Sequence, residues 1–327
     1  MNGTSLHGQR WTTRIIVPGD RDAVQTLFAQ VFGHAMSDAL WRWKYGNNLP
    51  TAIGAWNAQG QLVAHYGGMA RDISYFGSAA RALQGSDLMV EPRERAVLTR
   101  SGPFHLVTKR FLSESIGDGK PFLLGFGFPN ERHLRLGVKL GLYAQVGRVM
   151  EVAWPAMNAG MRWHSIHPVD WTAPATNRHL DRLWQAMRSA LDTMIVGTRD
   201  AAWWRYRYAE HPVHEYHSYW LIQRLTQRRL AAFTLKPEGA RCQLMDWVAP
   251  VEMAPAVITA ARLAAFQRGA TEIYGWFSEN LAARIMSADG RLTDLGIGVP
   301  TGLCNPGPAP QQLDGRWWLT AGDTDFL

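Results

Sequence analysis

The sequence predicts an α/β fold with two related domains, and three observations support this. The 327 residues are too many for an ordinary single domain but suit two domains of about 100–200 residues each. Strand-like and helix-like segments alternate, and one pattern of segments occurs twice. Hydrophobic residues make up 46% and charged residues 19%, which is typical of a globular protein. We place the domains at 11–152 and 170–327, joined between about 152 and 174.

The repeat begins with a box of aromatic and basic residues that reads W-R-aromatic-basic-Y. It occurs at 41–45, followed by Pro50, and again at 204–208, followed by Pro212. Each copy follows an amphipathic helical pattern and precedes two strand-like runs around a polar turn. Aromatic side chains at helical spacing usually belong to the core, so we interpret both boxes as structural.

The parallel continues downstream of each box. V-E-P at 90–92 matches V-A-P at 248–250, and a predicted helix follows each tripeptide. G-F-G-F-P-N at 125–130 then resembles Y-G-W-F-S-E-N at 274–280. Four matching features in the same order predict two copies of one structural unit.

The first copy contains a segment suited to phosphate binding. A strand predicted over 84–90 stops at Pro92, because proline cannot donate to a strand ladder. A loop leads from there to a helix that starts near Phe104. Glycine permits close backbone approach, and the unpaired amides of a helix N-terminus favour phosphate oxygens. The loop carries three arginines, a serine and a glycine, namely Arg93, Arg95, Arg100, Ser101 and Gly102.

The apolar run at 122–128 predicts a central strand buried on both faces, and its glycines indicate close approach of a ligand or another backbone. The order of V-x-P, basic loop, helix, G-x-G-F-P-N and a short helix ending in K-L-G resembles the GNAT N-acetyltransferase superfamily. It is most similar to a bacterial tandem subgroup with R-x-V-L-T-R-x-G-P-F in the loop and G-D-[ST]-D near the C-terminus. The matching residues here are 95–104 and 322–325.

This resemblance implies twisted mixed sheets flanked by helices, and an acyl-CoA co-substrate with no metal. It implies that Val90 and Glu91 flank the pantetheine and that Asn130 contacts it. The implied phosphate loop comprises the residues named above together with Pro103 and Phe104 at the start of the helix. The loop differs from the usual R/Q-x-x-G-x-G/A, since Ala96 stands near an expected glycine.

The resemblance also implies a tyrosine that protonates the leaving thiolate, but Gly137 stands at that position when counted from Asn130. Tyr143 is nearby in sequence and is our candidate for the acid, with a core role as the alternative. Amine acylation also needs a base within hydrogen-bond reach of the nucleophile. Asp87, on the strand that enters the loop, is our first candidate for this base. Glu91 and His65 come next, and Asp246 is the approximate counterpart of Asp87 in the second copy.

The second copy lacks the features of a phosphate site. Its loop reads V-E-M-A-P at 251–255, with neither arginine nor glycine. We therefore expect the second domain to be structural or to shape the acceptor site.

Composition indicates which binding partners and which cellular compartment to expect. Lysine and arginine exceed aspartate and glutamate by 34 to 27, which suits a polyphosphate cofactor, an acidic substrate or RNA. Two cysteines without C-x-x-C spacing predict neither a disulfide framework nor a zinc site and favour a reducing cytoplasm. The sequence H-P-V-H-E-Y-H at 211–217 has metal-like spacing, but we interpret it as a loop and strand edge. No apolar window reaches membrane-span length, and the first ten residues show no secretory signal.

Three functions remain open. The first is an N-acyltransferase that moves an acetyl or other acyl group from acyl-CoA to the amine of a small metabolite or sugar-linked acceptor. The second keeps the fold but takes its donor from a carrier, either an aminoacyl-tRNA or an acyl-carrier protein. The third is a non-catalytic binding protein, suggested by Gly137 in place of tyrosine.

Overall fold

A computed structural model describes residues 10–46, 51–158 and 160–326. The first nine residues and Pro50 of the first aromatic box lie outside the described residues. The strands are β1 (Thr12–Ile15), β2 (Thr51–Trp56), β3 (Leu62–Tyr75), β4 (Ser78–Val90), β5 (Leu124–Phe126), β6 (Tyr143–Pro155), β7 (His164–Pro168), β8 (Ile195–Gly197), β9 (His217–Gln223), β10 (Arg229–Glu238), β11 (Arg241–Val248), β12 (Glu272–Ser278), β13 (Arg291–Gly302) and β14 (Trp317–Trp318). The helices are α1 (Arg21–Phe32), α2 (Asp38–Tyr45), α3 (Pro103–Ser115), α4 (Glu131–Lys139), α5 (Ala175–Ala190), α6 (Ala201–Trp204), α7 (Ala254–Gln267), α8 (Glu279–Ile285) and α9 (Pro310–Leu313).

The strands form two mixed sheets flanked by helices, which confirms the predicted fold class. The first sheet has the order β1-β2-β3-β4-β5, with β8 beside β3 and β14 beside β8. Its strands are antiparallel except for the parallel pairs β4–β5 and β8–β14. The second sheet has the order β13-β6-β12-β11-β10-β9-β7, and β11–β12 is its parallel pair.

The two halves of the chain exchange strands. β6 follows the first-half strands in sequence but lies between β12 and β13 of the second sheet. Conversely, β8 and β14 come from the second half and extend the first sheet. β6 also crosses residue 152, where the first predicted domain ends. The division at 11–152 and 170–327 stays a prediction about sequence units, while the folded halves share both sheets.

The two aromatic boxes pack against each other. Trp43 in α2 stacks on Tyr206, with ring centroids 4.9 Å apart and planes 6° from parallel. The indole of Trp43 donates to the Tyr206 carbonyl at 3.1 Å, and the Tyr206 hydroxyl donates to the Trp43 carbonyl at 2.8 Å. These residues occupy equivalent positions in the two boxes. The two copies of the aromatic box therefore contact each other at the interface between the halves of the chain.

One predicted strand is shorter than expected. We predicted a strand over 122–128, but β5 covers Leu124–Phe126. It pairs with β4 at Ala82, Leu83 and Gln84, and the ladder stops there. An apolar run signals burial, but it does not reveal where two strands separate. The separation point is where the candidate site lies.

Candidate active site

The candidate site is a cavity of about 490 Å³ between the separated ends of β4 and β5. Gly85 and Gly127, the first residues after the paired segment, both line it. A Cβ atom at Gly85 would lie 2.7 Å from the hydroxyl of Tyr66, which also lines the cavity. Glycine at 85 therefore allows Tyr66 to approach the strand.

A β-bulge turns Asp87 out of the regular strand. His65 pairs with Met89 and Gly67 pairs with Ser86, so β4 has one more residue than β3 between these pairs. Asp87 has a φ of 47°, in the left-handed region that aspartate tolerates better than most residues. Bulges next to active sites commonly re-aim a side chain. Here the bulge brings Asp87, our first candidate for the base, to the cavity wall.

Asp87 belongs to a buried charge cluster. The ammonium of Lys44 donates to Asp87 at 2.7 Å and to Asp325 at 2.8 Å. The hydroxyl of Ser86 donates to Asp325 at 2.6 Å, and the hydroxyl of Tyr45 donates to Asp87. The side chains of Lys44, Asp87 and Asp325 are only 4%, 6% and 8% exposed. We call Lys44, Tyr45, Ser86, Asp87 and Asp325 the carboxylate cluster.

The cluster keeps Lys44 and Asp87 charged. Burial alone would disfavour both charges, but attraction between the ions outweighs it. The pKa of Lys44 is raised by Asp325 and Asp87, against the effect of burial. The pKa of Asp87 is lowered by Lys44 and by the hydrogen bond from Tyr45, again against burial. An ionised carboxylate is the form in which a general base works.

His65, our alternative base, lies behind Asp87 and is not among the residues that line the cavity. It is fully buried, and its Nδ1 is 2.8 Å from the backbone carbonyl of Asp87. Burial lowers the pKa of His65, which favours the neutral ring. A neutral ring with Nδ1 protonated would donate to that carbonyl, so the arrangement fits support of the bulge.

Tyr143 reaches the cavity from the first position of β6. Its hydroxyl donates to the hydroxyl of Tyr66 at 3.1 Å, and the residue is 3% exposed. Burial and the neighbouring Tyr66 raise the pKa of Tyr143 well above its ordinary value. A Cβ atom at Gly137 in α4 would lie 2.0 Å from Cδ2 of Tyr143. The Tyr143 ring thus fills the space beside Gly137, where the resemblance leads one to expect a tyrosine side chain.

Asn130 lines the cavity at the start of α4. Its side-chain oxygen accepts a hydrogen bond from the amide of His133 at 2.9 Å, which makes it the N-cap of that helix. This cap accounts for an asparagine at this position, and the implied pantetheine contact stays a prediction.

The remaining predicted donor-binding residues lie outside the cavity lining. The side chain of Arg93 is 93% exposed and is 3.9 Å from Glu91, which is itself partly buried. Arg95 donates to the carbonyl of Val90 at 2.9 Å, and Arg100 is exposed. The exposed hydroxyl of Ser101 is 2.9 Å from that of Thr99. The structure therefore brings together Asp87, Tyr143 and Asn130 and keeps the basic loop apart from them.

The loop nevertheless has the shape expected of a helix N-terminus. Gly102 is the N-cap of α3, and Pro103 and Phe104 form its first turn. A Cβ atom at Gly102 would lie 2.0 Å from the carbonyl oxygen of Val97. Only glycine fits there, so the loop can fold back closely against the start of the helix. The amides of the first turn have no partner within the helix, as at any helix N-terminus.

Sequence reasoning missed part of the site. Lys44 and Tyr45 belong to the first aromatic box, which we interpreted as structural. Asp325 belongs to the G-D-T-D sequence, which we used only as a family signal. A basic residue inside an aromatic box, on a helix face that is otherwise buried, is a signal that its charge has a buried partner. The sequence could not identify Asp325 as a partner of Lys44, because the two residues are 281 positions apart in the chain.

The second sheet repeats the arrangement, but its opening is filled. β11 pairs with β12 at 241–243 and 272–274, and the two strands then separate. β11 has a bulge next to Asp246, as β4 has at Asp87. The C-terminal segment enters the gap: Ser278 donates its amide to the carbonyl of Leu319 at 3.0 Å, and Phe277 forms a bridge with Thr320.

A buried ion network holds this segment in place. Arg199 donates to Asp246 at 3.0 Å and to Asp323 at 2.6 Å, and all three residues are at most 1% exposed. Arg71 of β3 is 3.2 Å from Asp323. Asp246 is thus enclosed by its own chain and is not among the residues that line the cavity. The same segment then continues to Asp325 in the carboxylate cluster.

Comparison with known proteins identifies the fold. No family model and no curated protein sequence matches the chain. A protein from Enterococcus faecalis V583 described as a probable N-acyltransferase matches 89% of this chain and 71% of its own, with a TM-score of 0.66 and 9% identity. A GCN5-related N-acetyltransferase from Anabaena variabilis matches 90% of this chain and 73% of its own, with a TM-score of 0.65 and 12% identity.

A more distant match is the N-myristoyltransferase of Saccharomyces cerevisiae with bound myristoyl-CoA. It covers 92% of this chain and 86% of its own, with a TM-score of 0.54 and 10% identity. The resemblance to the GNAT superfamily is therefore confirmed for the fold.

Among the described residues, no helix combines the length and apolar character needed to cross a membrane.

Proposed function

From a chain folded like the GCN5-related N-acetyltransferases, we propose an N-acyltransferase that moves an acyl group from acyl-CoA directly to an amine. The observation that carries this proposal is the cavity where β4 and β5 separate, with Asp87, Tyr143 and Asn130 on its wall. The yeast neighbour, whose fold this chain shares, was solved with bound myristoyl-CoA. That neighbour supports a CoA thioester as donor without identifying the acyl group.

The chain offers features that fit such a donor. In this proposal the pantetheine arm lies in the gap that begins at Gly85 and Gly127, where the pairing between β4 and β5 has ended. The pyrophosphate lies at the N-terminus of α3, whose first-turn amides and Gly102 favour anions. Arg95 and Arg100 supply positive charge near that terminus.

The acceptor amine must be neutral when it attacks. Asp87 takes a proton from the acceptor ammonium, and the amine nitrogen then forms a bond to the thioester carbonyl carbon. The bond from that carbon to sulfur breaks, and the hydroxyl of Tyr143 gives its proton to the departing sulfur. The second amine proton is released as the amide forms and restores the tyrosine. A raised pKa keeps the phenol of Tyr143 protonated at neutral pH, as this role requires.

Calorimetry and a thiol-release assay test the proposal on the full chain. We expect acetyl-CoA or a longer acyl-CoA to bind with one equivalent per chain, because the second opening is filled by residues 319–323. Amine-dependent release of free CoA should follow. Asp87→Asn should lower kcat by about 100-fold or more, since general base catalysis typically contributes that much. The matched control is Asp72→Asn, whose side chain is 76% exposed.

Absence of acyl-CoA binding together with absence of thiol release would overturn this function. The carrier-bound donor then becomes testable with aminoacyl-tRNA and with acylated carrier protein. Exposed arginines on the loop, including Arg93 at 93% exposure, favour it as the second candidate. Binding to RNA should then weaken steeply with salt.

A further inference from the structure

Three exposed apolar side chains converge on the mouth of the cavity. Phe32, at the end of α1, is 45% exposed, Val213 is 55% exposed and Phe326 is 50% exposed. They come from three separate segments of the chain, yet all three line the same cavity. Single exposed apolar residues are normal on a protein surface, but their convergence on a cavity marks a binding surface.

Aromatic rings extend this apolar mouth. Phe28 lies against Phe32 with centroids 4.6 Å apart and against His34 at 5.2 Å. His211 and His214 stack at 5.0 Å on the loop after the second box. Burial, with help from nearby Arg207, lowers the pKa of His211 to about 3, and burial with Lys236 lowers the pKa of His214. These two rings are therefore neutral at neutral pH and add aromatic surface without positive charge.

The floor of the cavity has the opposite character. Apart from histidines and the uncharged phenols of Tyr66 and Tyr143, the ionisable groups that line its described wall are Lys44, Asp87 and Asp325, which give two carboxylates against one ammonium. From the residues that the structure describes, Oδ1 of Asp325 receives only a 3.4 Å contact from Gln84, so it retains capacity to accept. Arg207 donates to backbone carbonyls of 322 and 324 behind this wall and does not line it.

We infer that the acceptor is a primary amine, bound as its ammonium, on an apolar body of aromatic or aliphatic carbon. The ammonium lies against Asp87 and Asp325, and the apolar body lies between Phe32, Val213 and Phe326. A phosphate on the acceptor would meet two carboxylates, which disfavours sugar phosphates and sugar nucleotides. This inference rests on the proposed function and narrows its acceptor.

The positions of the three apolar residues in the chain indicate that they contact the acceptor rather than the acyl chain of the donor. They belong to α1, the 211–214 loop and the C-terminal segment. The donor is proposed to enter between β4 and β5, beside Tyr66 of β3 and Tyr143 of β6, and none of the three apolar residues belongs to these strands. The acyl chain is the competing occupant and is treated as an outcome of the test.

Equilibrium binding to the full chain without any donor tests the ligand class. The probes are 2-phenylethylamine, 2-phenylethanol, ethanolamine and glucosamine 6-phosphate. We expect 2-phenylethylamine to bind at least about 10-fold more tightly than each of the others, because it alone combines a cation with an apolar body. Equal or tighter binding of ethanolamine or of glucosamine 6-phosphate overturns the inference.

Two variants locate the contacts. Asp325→Asn should weaken 2-phenylethylamine by about 10-fold, as expected for loss of a hydrogen bond to a charged group, and leave 2-phenylethanol unchanged. Phe32→Ser should weaken both aromatic probes by about fivefold through lost apolar contact. The matched controls are Asp72→Asn and Phe266→Ser, since Phe266 is 46% exposed on α7, away from the cavity.

A donor series separates this inference from the proposed function. If Phe32→Ser weakens hexadecanoyl-CoA but not 2-phenylethylamine, the mouth holds the acyl chain and the inference falls. Turnover of glucosamine 6-phosphate without binding of 2-phenylethylamine also overturns the inference and leaves the acyltransferase standing. Binding of the amine with the expected variant pattern, but without acyl-CoA binding or thiol release, supports the inference as a binding site and overturns the acyltransferase.

Discussion

At the scale of single residues, Lys44 is the centre of the candidate site. It lies on a helix from the first half and joins Asp87 on β4 to Asp325 in the C-terminal segment. Buried ion pairs are often close to neutral for stability, because desolvation offsets attraction. Removal of one partner is different, since it leaves an unpaired buried charge.

Lys44→Met should therefore be strongly destabilising. At pH 8 we expect a loss of about 3–5 kcal/mol in the free energy of unfolding, because two carboxylates lose their cation. In the wild type the pKa of Asp87 is lowered, so its stabilising effect is present above its ordinary pKa and lost as pH falls through the lowered value. In the variant, burial without the ammonium would raise the pKa of Asp87, so this carboxylate would become neutral as pH falls.

The difference between variant and wild type should consequently shrink between pH 8 and pH 4. Denaturant unfolding followed by tryptophan fluorescence measures it at each pH. Lys139→Met on the exposed face of α4 is the control and should stay within about 0.5 kcal/mol of wild type. A deficit that is constant with pH would show that the protonation of Asp87 does not depend on Lys44.

At the scale of elements, the bulge and the strand separation decide where the chemistry lies. The sequence pattern predicted the strand before the loop and both helices after the V-x-P motifs, and the family resemblance implied the mixed sheets. It did not predict the extra residue opposite Tyr66, because alternation of apolar residues carries no signal for a single left-handed residue at Asp87. It also made β5 too long, since burial continues past the point where pairing stops.

Gly137 connects helix α4 to the candidate acid. Alanine normally stabilises a helix relative to glycine by about 0.5–1 kcal/mol. Here the added Cβ would lie 2.0 Å from the Tyr143 ring, so we expect the opposite sign for Gly137→Ala. Overpacking should cost about 1–3 kcal/mol, and displacement of the ring should lower kcat more than KM changes.

Thermal unfolding and steady-state kinetics measure these two effects of Gly137→Ala. Gly147→Ala on β6 is the matched control, because its Cβ would lie 3.8 Å from Val299, an ordinary contact. A stabilised variant with unchanged kcat would mean that Tyr143 does not depend on the space beside Gly137. It would also weaken the case for Tyr143 as the acid.

At the scale of the whole molecule, the two copies of the repeat differ in the gap between their parallel strands. The gap is a cavity in the first copy and is filled by the C-terminal segment in the second. Tyr208 in the second box is equivalent to Tyr45, and Asp246 is the approximate counterpart of Asp87. In the second half, a Cβ at Gly322 would lie 2.1 Å from the Tyr208 hydroxyl and 2.9 Å from Cβ of Asp246. The C-terminal segment therefore occupies the place that is a cavity in the first half. The sequence indicated only that the second loop lacked arginine and glycine.

The C-terminal segment couples the two halves, because it contributes one buried carboxylate to the filled opening and another to the carboxylate cluster. Asp323 is held by Arg199 and Arg71 in the filled opening, and Asp325, two residues on, completes the carboxylate cluster. Asp323 is thus a positioning residue that acts on the site through Asp325. Burial lowers the pKa of Arg71 to about 10, against the opposing effect of Asp323, so its guanidinium remains charged at neutral pH within this network.

A double-mutant cycle tests that coupling. Asp323→Asn should destabilise the fold by about 3–5 kcal/mol, because it leaves buried arginines undercompensated. It should also lower kcat/KM in the wild-type background by releasing Asp325 from its position. In an Asp325→Asn background the same change should still destabilise the fold but cost little further activity, so the kinetic effects should be non-additive. Additive kinetic losses would mean that Asp323 affects activity by a route other than Asp325. No kinetic loss at all would mean that Asp323 contributes stability alone.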